Sequence, residues 1–232
     1  LLVGAAGLGA AVGVSACGST TGGRPIPPPV DPTLAEMHRD APSFIVILSD
    51  DHRADHLGLT GVAPGLQTPN LDRMAAQGVR FTDATVTTAL CSPSRASFIT
   101  GEYARRHGVI NNLSAWDPAN VTFFEQLAAA GYRCGYIGKW HMPGALPDLR
   151  GVDTFITFTI DEGQGVYTDC PLVINGVDVE RPGTYVSTDL TDLALDWLAA
   201  GDPAQPTCLF LAHKAVHHPF SPPGDLEGVY AD

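Results

Sequence analysis

The sequence predicts an α/β domain in which a largely parallel central sheet is flanked by helices. Largely apolar runs such as Phe44–Leu48 and Thr207–Ala212 are typical of strands inside a parallel sheet. Amphipathic segments with helical spacing stand between these runs, and glycine or proline marks their ends. Because strands alternate with helices along the chain, a parallel sheet with helices on its faces is the favoured arrangement.

The first predicted strand is Phe44–Leu48, and its unbroken apolar run leads us to expect burial on both faces. Thr68 and Pro69 then provide an N-cap and a first-turn proline for a helix that ends at Gly78. Residues 79–86 are predicted to form the next strand, since apolar residues recur along them.

The second half of the chain continues the same alternation of helices and strands. Its predicted elements are a helix over 123–130 with a Thr122/Glu125 capping box, a strand over 132–137, a hairpin with its turn at Asn175-Gly176, an amphipathic helix containing Leu190 and Trp197, and a strand over 207–212. Polar residues that can bind a ligand or take part in a reaction directly follow the predicted strands 44–48, 132–137 and 207–212. Because ligands bind at the carboxyl ends of parallel strands, we expect one site at that edge.

Composition narrows the classes of function. The chain has 232 residues, of which 44% are hydrophobic, and a formal net charge of -12. An acidic chain lacks the basic face of a nucleic-acid binder, so no nucleic-acid partner is expected, and any anion site must be basic locally. The five cysteines are odd in number, widely spaced and without a C-x-x-C pattern, which argues against a disulfide framework or a zinc site.

Three segments are predicted along the chain. Residues 1–17 are expected to be an export signal with a lipobox-like end, Val14-Ser15-Ala16-Cys17, and the alternative is an ordinary apolar leader with an incidental cysteine. Residues 18–42 form a Pro/Gly/Ser-rich tether. Residues 43–232 are predicted to form the folded portion. We therefore expect the protein to be exported to the cell surface or the periplasm. Its contact with the membrane would be only through a lipid on Cys17.

Two adjacent carboxylates, Asp50 and Asp51, follow the first strand. Neighbouring carboxylates repel each other unless a cation or hydrogen bonds compensate. Oxygen ligands favour a hard cation such as Ca²⁺, with Mg²⁺ as the second choice. The alternative is a solvated turn that carries two acids.

A second group of residues begins at Cys91. Pro93 suits the first turn of a helix, which would place Cys91 at a helix N-terminus, where backbone N–H groups favour anions. Arg95 adds a guanidinium whose donors match a tetrahedral oxyanion. The alternative for Cys91 is a structural cysteine.

These residues belong to the pattern C-x-P-S-R-x-x-x-x-T-G at positions 91–101, which resembles the signature of type I (formylglycine-dependent) sulfatases. Other segments also resemble parts of that family, namely 49–55, 68–73, 138–141 and 213–220. The resemblance covers roughly residues 43 to 225. It is to the N-terminal part of bacterial arylsulfatases and carbohydrate sulfatases of the alkaline phosphatase superfamily, which implies an alkaline-phosphatase-like sulfatase domain.

The resemblance implies a role for each residue of the site. Cys91 would be oxidised to formylglycine (3-oxoalanine) by a formylglycine-generating enzyme. The metal ligands would be Asp50, Asp51 and the modified Cys91, and the catalytic residues would be Cys91, Arg95, Lys139, His141 and His217. Lys139 would stabilise sulfate oxygens, His141 would assist proton transfer, and His217 would be general acid or a sulfate contact. The roles of His213, Lys214 and His218 stay open.

The implied activity is release of inorganic sulfate from a sulfated carbohydrate or an aryl sulfate. The segment 163–167 and the hairpin near Asn175 resemble bacterial members that act on sulfated sugars. The alternatives are a phosphatase or phosphonate monoester hydrolase of the same superfamily, and an inactive truncated lipoprotein that binds sulfated glycans.

One departure from the family pattern concerns the metal. The family's later Asp-Asn pair and a further lysine have no counterpart before Asp232. We therefore expect a domain that is incomplete at its C-terminus, and a piece that by itself binds metal weakly. Whether this piece is active alone is left open.

Overall fold

The computed structural model describes residues 2–3 and 41–230, and its centre is a six-stranded sheet. The strands are β1 (Leu2–Val3), β2 (Phe44–Leu48), β3 (Val79–Arg80), β4 (Arg133–Gly138), β5 (Thr154–Thr157), β6 (Leu172–Ile174), β7 (Val177–Val179) and β8 (Thr207–Ala212). The helices are α1 (Pro69–Gln77), α2 (Cys91–Thr100), α3 (Ala104–His107), α4 (Phe123–Ala129) and α5 (Val186–Ala199). Single 3₁₀ turns are found at Gly58–Thr60, Asp161–Gly163 and Gly224–Leu226.

The strand order in the large sheet is β2-β8-β4-β5-β6-β7. β2, β8, β4 and β5 are parallel, whereas β6 and β7 add an antiparallel hairpin at one edge. β1 and β3 form a separate two-residue antiparallel ladder. The predicted α/β class with a largely parallel sheet is therefore confirmed.

Alternate residues of the central strands supply two cores, one on each face of the sheet. Tyr136 and Phe210 point to one face, where they stack at a centroid distance of 5.2 Å and pack with Phe124 from α4. Ile137 and Leu211 point to the other face, which α5 covers. This alternation follows from the two-residue period of a strand, and it holds β4 and β8 rigidly between two packed layers.

The prediction that β2 is buried on both faces is wrong. Ile45 and Ile47 are 54% and 58% exposed. In the parallel register they lie beside Leu209 and Leu211 of β8. α5 packs over β4 and β8 but does not reach this outer strand, so among the described residues one face of β2 stays in contact with solvent.

The predicted strand over 79–86 is also too long, since β3 ends at Arg80. Val79, Phe81 and Val86 are all exposed, so this apolar pattern has no packed face to hold it against a neighbouring strand. The hairpin, in contrast, forms as predicted, because Asn175 and Gly176 both adopt the positive φ of a type I′ turn.

The predicted export signal and tether lie outside the described residues, apart from residues 2–3 and 41–42. Within the described part of the chain, no helix has the length and hydrophobicity needed to cross a bilayer. Cys134, Cys170 and Cys208 are buried and carry free thiols.

Candidate active site

The ends of β2, β4 and β8 bring their following residues to one edge of the sheet. Backbone hydrogen bonds extend the ladders past the strands and fix these residues. The Asp50 amide donates to the carbonyl of Ala215, and the Val216 amide donates to that of Asp50, both at 2.8 Å. The Lys139 amide donates to Ala212 O, also at 2.8 Å. Three segments that are far apart in sequence are thus held in one place, as the pattern of polar residues predicted.

Asp50 lies at the centre of this edge and is only 7% exposed. Its Oδ2 is 3.3 Å from Arg95 Nη2 and accepts a short hydrogen bond from Lys139 Nζ. Burial raises the pKa of the Asp50 carboxyl, but the positive charges of Arg95 and Lys139 outweigh it and hold that pKa below its ordinary value. Asp50 is therefore ionised at neutral pH and compensated by two buried cations.

Cys91 is the first residue of α2, directly beside this cluster. Its Sγ is 3.7 Å from Asp50 Oδ1 and 3.9 Å from Lys139 Nζ. Arg95 follows one helical turn later on the same face, and its Nη1 donates to Lys139 O at 2.7 Å. Burial raises the pKa of the Cys91 thiol. The thiol is protonated at neutral pH, unlike the activated thiolate of a cysteine nucleophile.

His217 and Asp51 lie on the solvent side of the cluster. His217 Nε2 is 3.7 Å from Asp51 Oδ2, and the Asp51 side chain is 60% exposed. His217 Nδ1 donates to the carbonyl of His218 at 2.7 Å, which leaves Nε2 without a proton in the neutral ring. The ring is therefore oriented to offer Nε2 as an acceptor or a metal ligand.

A metal ion fits this arrangement. One ligand atom each of Asp50, Cys91 and His217 lies within 4.8 Å of the others. The sequence predicted Asp50, Asp51 and Cys91 as the ligands. In the structure, Asp51 lies outside this three-residue group and approaches it through His217. The prediction of the metal ligands from sequence had not included His217.

His141 packs against the other side of the cluster and is 6% exposed. Its carbonyl accepts a hydrogen bond of 2.5 Å from Ser92 Oγ of α2, which ties the loop after β4 to the start of that helix. Its Nδ1 is buried and has no hydrogen-bond partner among the described residues. Burial, together with the charges of Lys139 and Arg95, lowers the pKa of His141 to about 4. The ring is thus neutral at pH 7.

Two further residues of the site have a role that sequence reasoning did not assign. Gln164 accepts a hydrogen bond of 2.5 Å from Lys139 Nζ through its Oε1. Lys214 is buried, and its Nζ lies 5.1 Å above the ring of Tyr167, whose hydroxyl donates to His217 O at 2.5 Å. The segment 163–167 had been singled out only for its resemblance to carbohydrate sulfatases, although its two glycines are a signal for close approach of the backbone to a neighbouring group.

The carboxyl edge of this α/β sheet thus carries a cysteine among buried cations. Known proteins share both the sequence and the fold of this chain. Residues 42–232 match the family model described as Sulfatase, and the chain belongs to the sulfatase family. It is 31% identical over 189 residues to N-acetylglucosamine-6-O-sulfatase of Bacteroides thetaiotaomicron, covering 82% of this chain and 33% of that protein. It is 36% identical over 176 residues to arylsulfatase G of Canis lupus familiaris, covering 69% and 32%.

Solved structures show the same fold. One is a protein in complex with its substrate D-glucosamine-2-N,6-O-disulfate, with a TM-score of 0.77 and 31% identity, over 82% of this chain and 37% of that one. Another, bound to k-i-k-neocarrahexaose, has a TM-score of 0.72 and 27% identity, over 79% and 47%. The chain spans about a third of the length of the curated relatives it matches.

Proposed function

We propose that the protein containing this chain is a sulfuric ester hydrolase that releases inorganic sulfate through a formylglycine made from Cys91. The observation that carries the proposal is the position of Cys91, with its Sγ 3.7 Å from Asp50 and 3.9 Å from Lys139 at the start of a helix. A tetrahedral anion at this point would meet Arg95, Lys139 and the helix N-terminus together.

The chemistry of the donor atoms supports oxidation of Cys91. The Sγ of Cys91 stands in for the oxygen atoms of a hydrated aldehyde at the same position. Carboxylate oxygens of Asp50 and Asp51 suit a hard cation such as Ca²⁺ or Mg²⁺, whereas a thiol sulfur does not. An aldehyde hydrate at residue 91 would supply an oxygen nucleophile for sulfur and a second hydroxyl whose proton loss would allow sulfate to leave, and a bound cation would supply positive charge that makes the hydroxyl more acidic. Asp50, Asp51 and the modified residue 91 would hold the metal.

Arg95 and Lys139 provide the positive charge that sulfate oxygens require. Both side chains are almost completely buried, so their charges act through a medium that screens them weakly. Arg95 Nη1 is occupied by Lys139 O, while its Nε has no partner among the described residues and remains available to residue 91 or to a bound anion. Lys139 Nζ, close to Cys91, stabilises negative charge that develops on the sulfate group or the leaving oxygen.

The two histidines are assigned different proton transfers. His141 is neutral at pH 7 and carries an unpartnered Nδ1, which suits an acceptor for the proton of a hydroxyl at residue 91. His217 lies next to Asp51, on the more open side of the cluster, where a leaving alcohol would depart. We assign it to donate a proton to that alcohol or to contact the sulfate.

The proposed substrate class is a sulfated carbohydrate. A relative is named for 6-O-sulfated N-acetylglucosamine, and a structural neighbour holds a sulfated glucosamine. Sulfate release from 6-O-sulfated N-acetylglucosamine and from an aryl sulfate, measured side by side on the full-length protein, tests the choice. Activity on the aryl ester alone contradicts the carbohydrate assignment.

The decisive experiment is mass spectrometry of the peptide that contains Cys91, after co-production with a formylglycine-generating enzyme. Conversion to the aldehyde lowers the peptide mass by about 18 Da. An unmodified thiol beside an active maturing enzyme overturns the proposal. Hydrolysis of phosphate monoesters or phosphonates in preference to sulfate esters would instead select the phosphatase alternative. Sulfated-glycan binding that is unchanged by loss of Cys91, without hydrolysis, would select the binding protein.

We also propose that the protein is exported and carries a lipid on Cys17, in a cell-surface or periplasmic location. The apolar segment 1–16 followed by Cys17 supports this proposal. Metabolic labelling with an alkyne fatty acid should mark the wild-type protein and not the Cys17→Ala variant. Equal labelling of the two proteins overturns the anchor.

A further inference from the structure

Lys139 and Lys214 are the only lysines in the sequence, and both are buried. Among residues 41–230, Lys139 Nζ has three hydrogen-bonding neighbours: Asp50 Oδ2, Cys91 Sγ at 3.9 Å and Gln164 Oε1 at 2.5 Å. Asp50 and Cys91 belong to the proposed reaction centre. Gln164 is the remaining partner, and it comes from a different part of the chain, directly after the 3₁₀ turn Asp161–Gly163.

The backbone around Gln164 is packed in a way that permits little movement. Gly163 and Gly165 adopt φ values of +86° and +72°, in the region that favours glycine. A Cβ at Gly163 would lie 3.3 Å from His141 Cα, and one at Gly165 would lie 2.5 Å from a ring carbon of Phe158. The two glycines therefore allow the segment to press against His141 and Phe158, which brings the amide of Gln164 to Lys139.

A lysine needs such a partner more than an arginine does. Its ammonium is a point charge on a flexible four-carbon stem, so several rotamers place it differently. Asp50 cannot fix it alone, since the same carboxylate oxygen also pairs with Arg95. An amide oxygen accepts a hydrogen bond from the ammonium without cancelling its positive charge, whereas the negative charge of a second carboxylate would offset it.

We propose that Gln164 is a positioning residue that holds the Lys139 ammonium beside residue 91 and so acts in sulfate ester cleavage through Lys139. The catalytic part of this inference rests on the proposed function. The hydrogen bond itself can be tested independently.

The first test is NMR of protein labelled with ¹⁵N only in lysine, in which two side-chain ammonium signals are expected and a Lys139→Arg variant assigns them. In Gln164→Leu, the Lys139 signal should shift or be lost through faster proton exchange. Gln77→Leu, the same change at an exposed residue at the end of α1, should leave it unchanged. An unaltered Lys139 signal in Gln164→Leu overturns the inference.

A second variant separates loss of the contact from loss of the fold. Gln164→Glu keeps an acceptor oxygen, so the Lys139 ammonium should stay protected from exchange. If Gln164→Leu is too unstable to study, Gln164→Glu decides the question by itself. Loss of the Lys139 signal in a folded Gln164→Glu protein, judged by an intact Lys214 signal, contradicts the positioning role.

The kinetic test uses the full-length protein after conversion of Cys91. Gln164→Leu should lower kcat by about 10- to 100-fold with a smaller change in KM, because the lysine it orients acts on developing charge. Gln77→Leu should leave both constants unchanged. If the wild-type protein releases sulfate and Gln164→Leu has the same kcat, the inference is wrong. If the wild-type protein releases none, the proposed function fails, while the NMR result still decides whether Gln164 orients Lys139.

Discussion

The two sides of the site come from strands with very different surroundings. β4 and β8 lie inside the sheet and are buried almost throughout, and the residues that follow β4, Lys139 and His141, are buried as well. β2 is the outer strand, and after Asp50 the chain reaches solvent at Asp51. The central side therefore supplies charges that are desolvated and orient one another. The outer side supplies the carboxylate of Asp51, which remains accessible to solvent.

Replacement of Cys91 should have the largest effect on activity, because Cys91 lies between the buried side and the exposed side of the site. Cys91→Ala should lower sulfate release from the full-length protein by at least about 10³-fold, because an alanine methyl group has neither a thiol to oxidise to the aldehyde nor a hydroxyl to act as nucleophile. Release of inorganic sulfate under saturating substrate measures it. Cys208→Ala, which removes a buried thiol from the core, should retain the activity; retained activity in Cys91→Ala would show that residue 91 is not the nucleophile.

The buried side should depend on its internal charge balance. Lys139→Met leaves the buried Asp50 carboxylate with Arg95 as its remaining close cation, and we expect the free energy of unfolding to fall by about 3 kcal/mol. Urea denaturation provides the measurement. The double variant Asp50→Asn with Lys139→Met should recover part of that loss. Additive losses in the double-mutant cycle would mean that the two charges do not interact.

As the pH falls, the stability that His141 contributes to the buried side should be lost before the contribution of ionised Asp50. The pKa of His141 falls from 6.5 in the unfolded chain to about 4 in the folded protein, so the unfolded chain binds the proton first as pH decreases. Stability from His141 is complete above pH 6.5 and declines toward pH 4, and the loss reaches about 2 kcal/mol near pH 5. Asp50, with a pKa held below 3.8, loses its contribution only at lower pH.

Denaturant titrations at several pH values should show that decline. Burial also lowers the pKa values of His107 and His213, so the wild-type slope contains their contributions. The difference between the wild type and His141→Asn isolates the effect of His141. Parallel pH profiles for the two proteins would contradict a neutral, buried His141.

A substitution on the exposed face of the outer strand β2 should have the smallest effect on the free energy of unfolding. Ile47→Ala on the exposed face of β2 should change the free energy of unfolding of this chain by about 0.5 kcal/mol or less. Ile137→Ala, a matched change in the buried strand β4, should cost about 2–5 kcal/mol. Thermal or urea unfolding of the two variants compares them directly. A loss at Ile47 as large as that at Ile137 would show that β2 is covered in solution.

Local patterns predicted much of the fold. The bounds of β2 and β8, the hairpin of β6 and β7, and helix α1 between Thr68 and Gly78 all agree with the sequence prediction. Each depends on interactions over a few residues: an apolar run, a two-residue turn, or a proline and a glycine at the ends of a helix. The burial of β2 and the length of β3 were wrong, because both depend on which distant element covers an apolar face.

The sequence by itself determined the class of the domain, the family resemblance and the chemical types in the site, since a spacing such as Cys91 to Arg95 is set by one helical turn. Only the tertiary structure decided that Lys139, 48 residues from Cys91, lies 3.9 Å from its sulfur, that His217 and Asp51 meet, and that Gln164 reaches Lys139. These contacts depend on strand order and register in the sheet. Strand order and register result from the packing of many residues at once and have no local pattern in the chain.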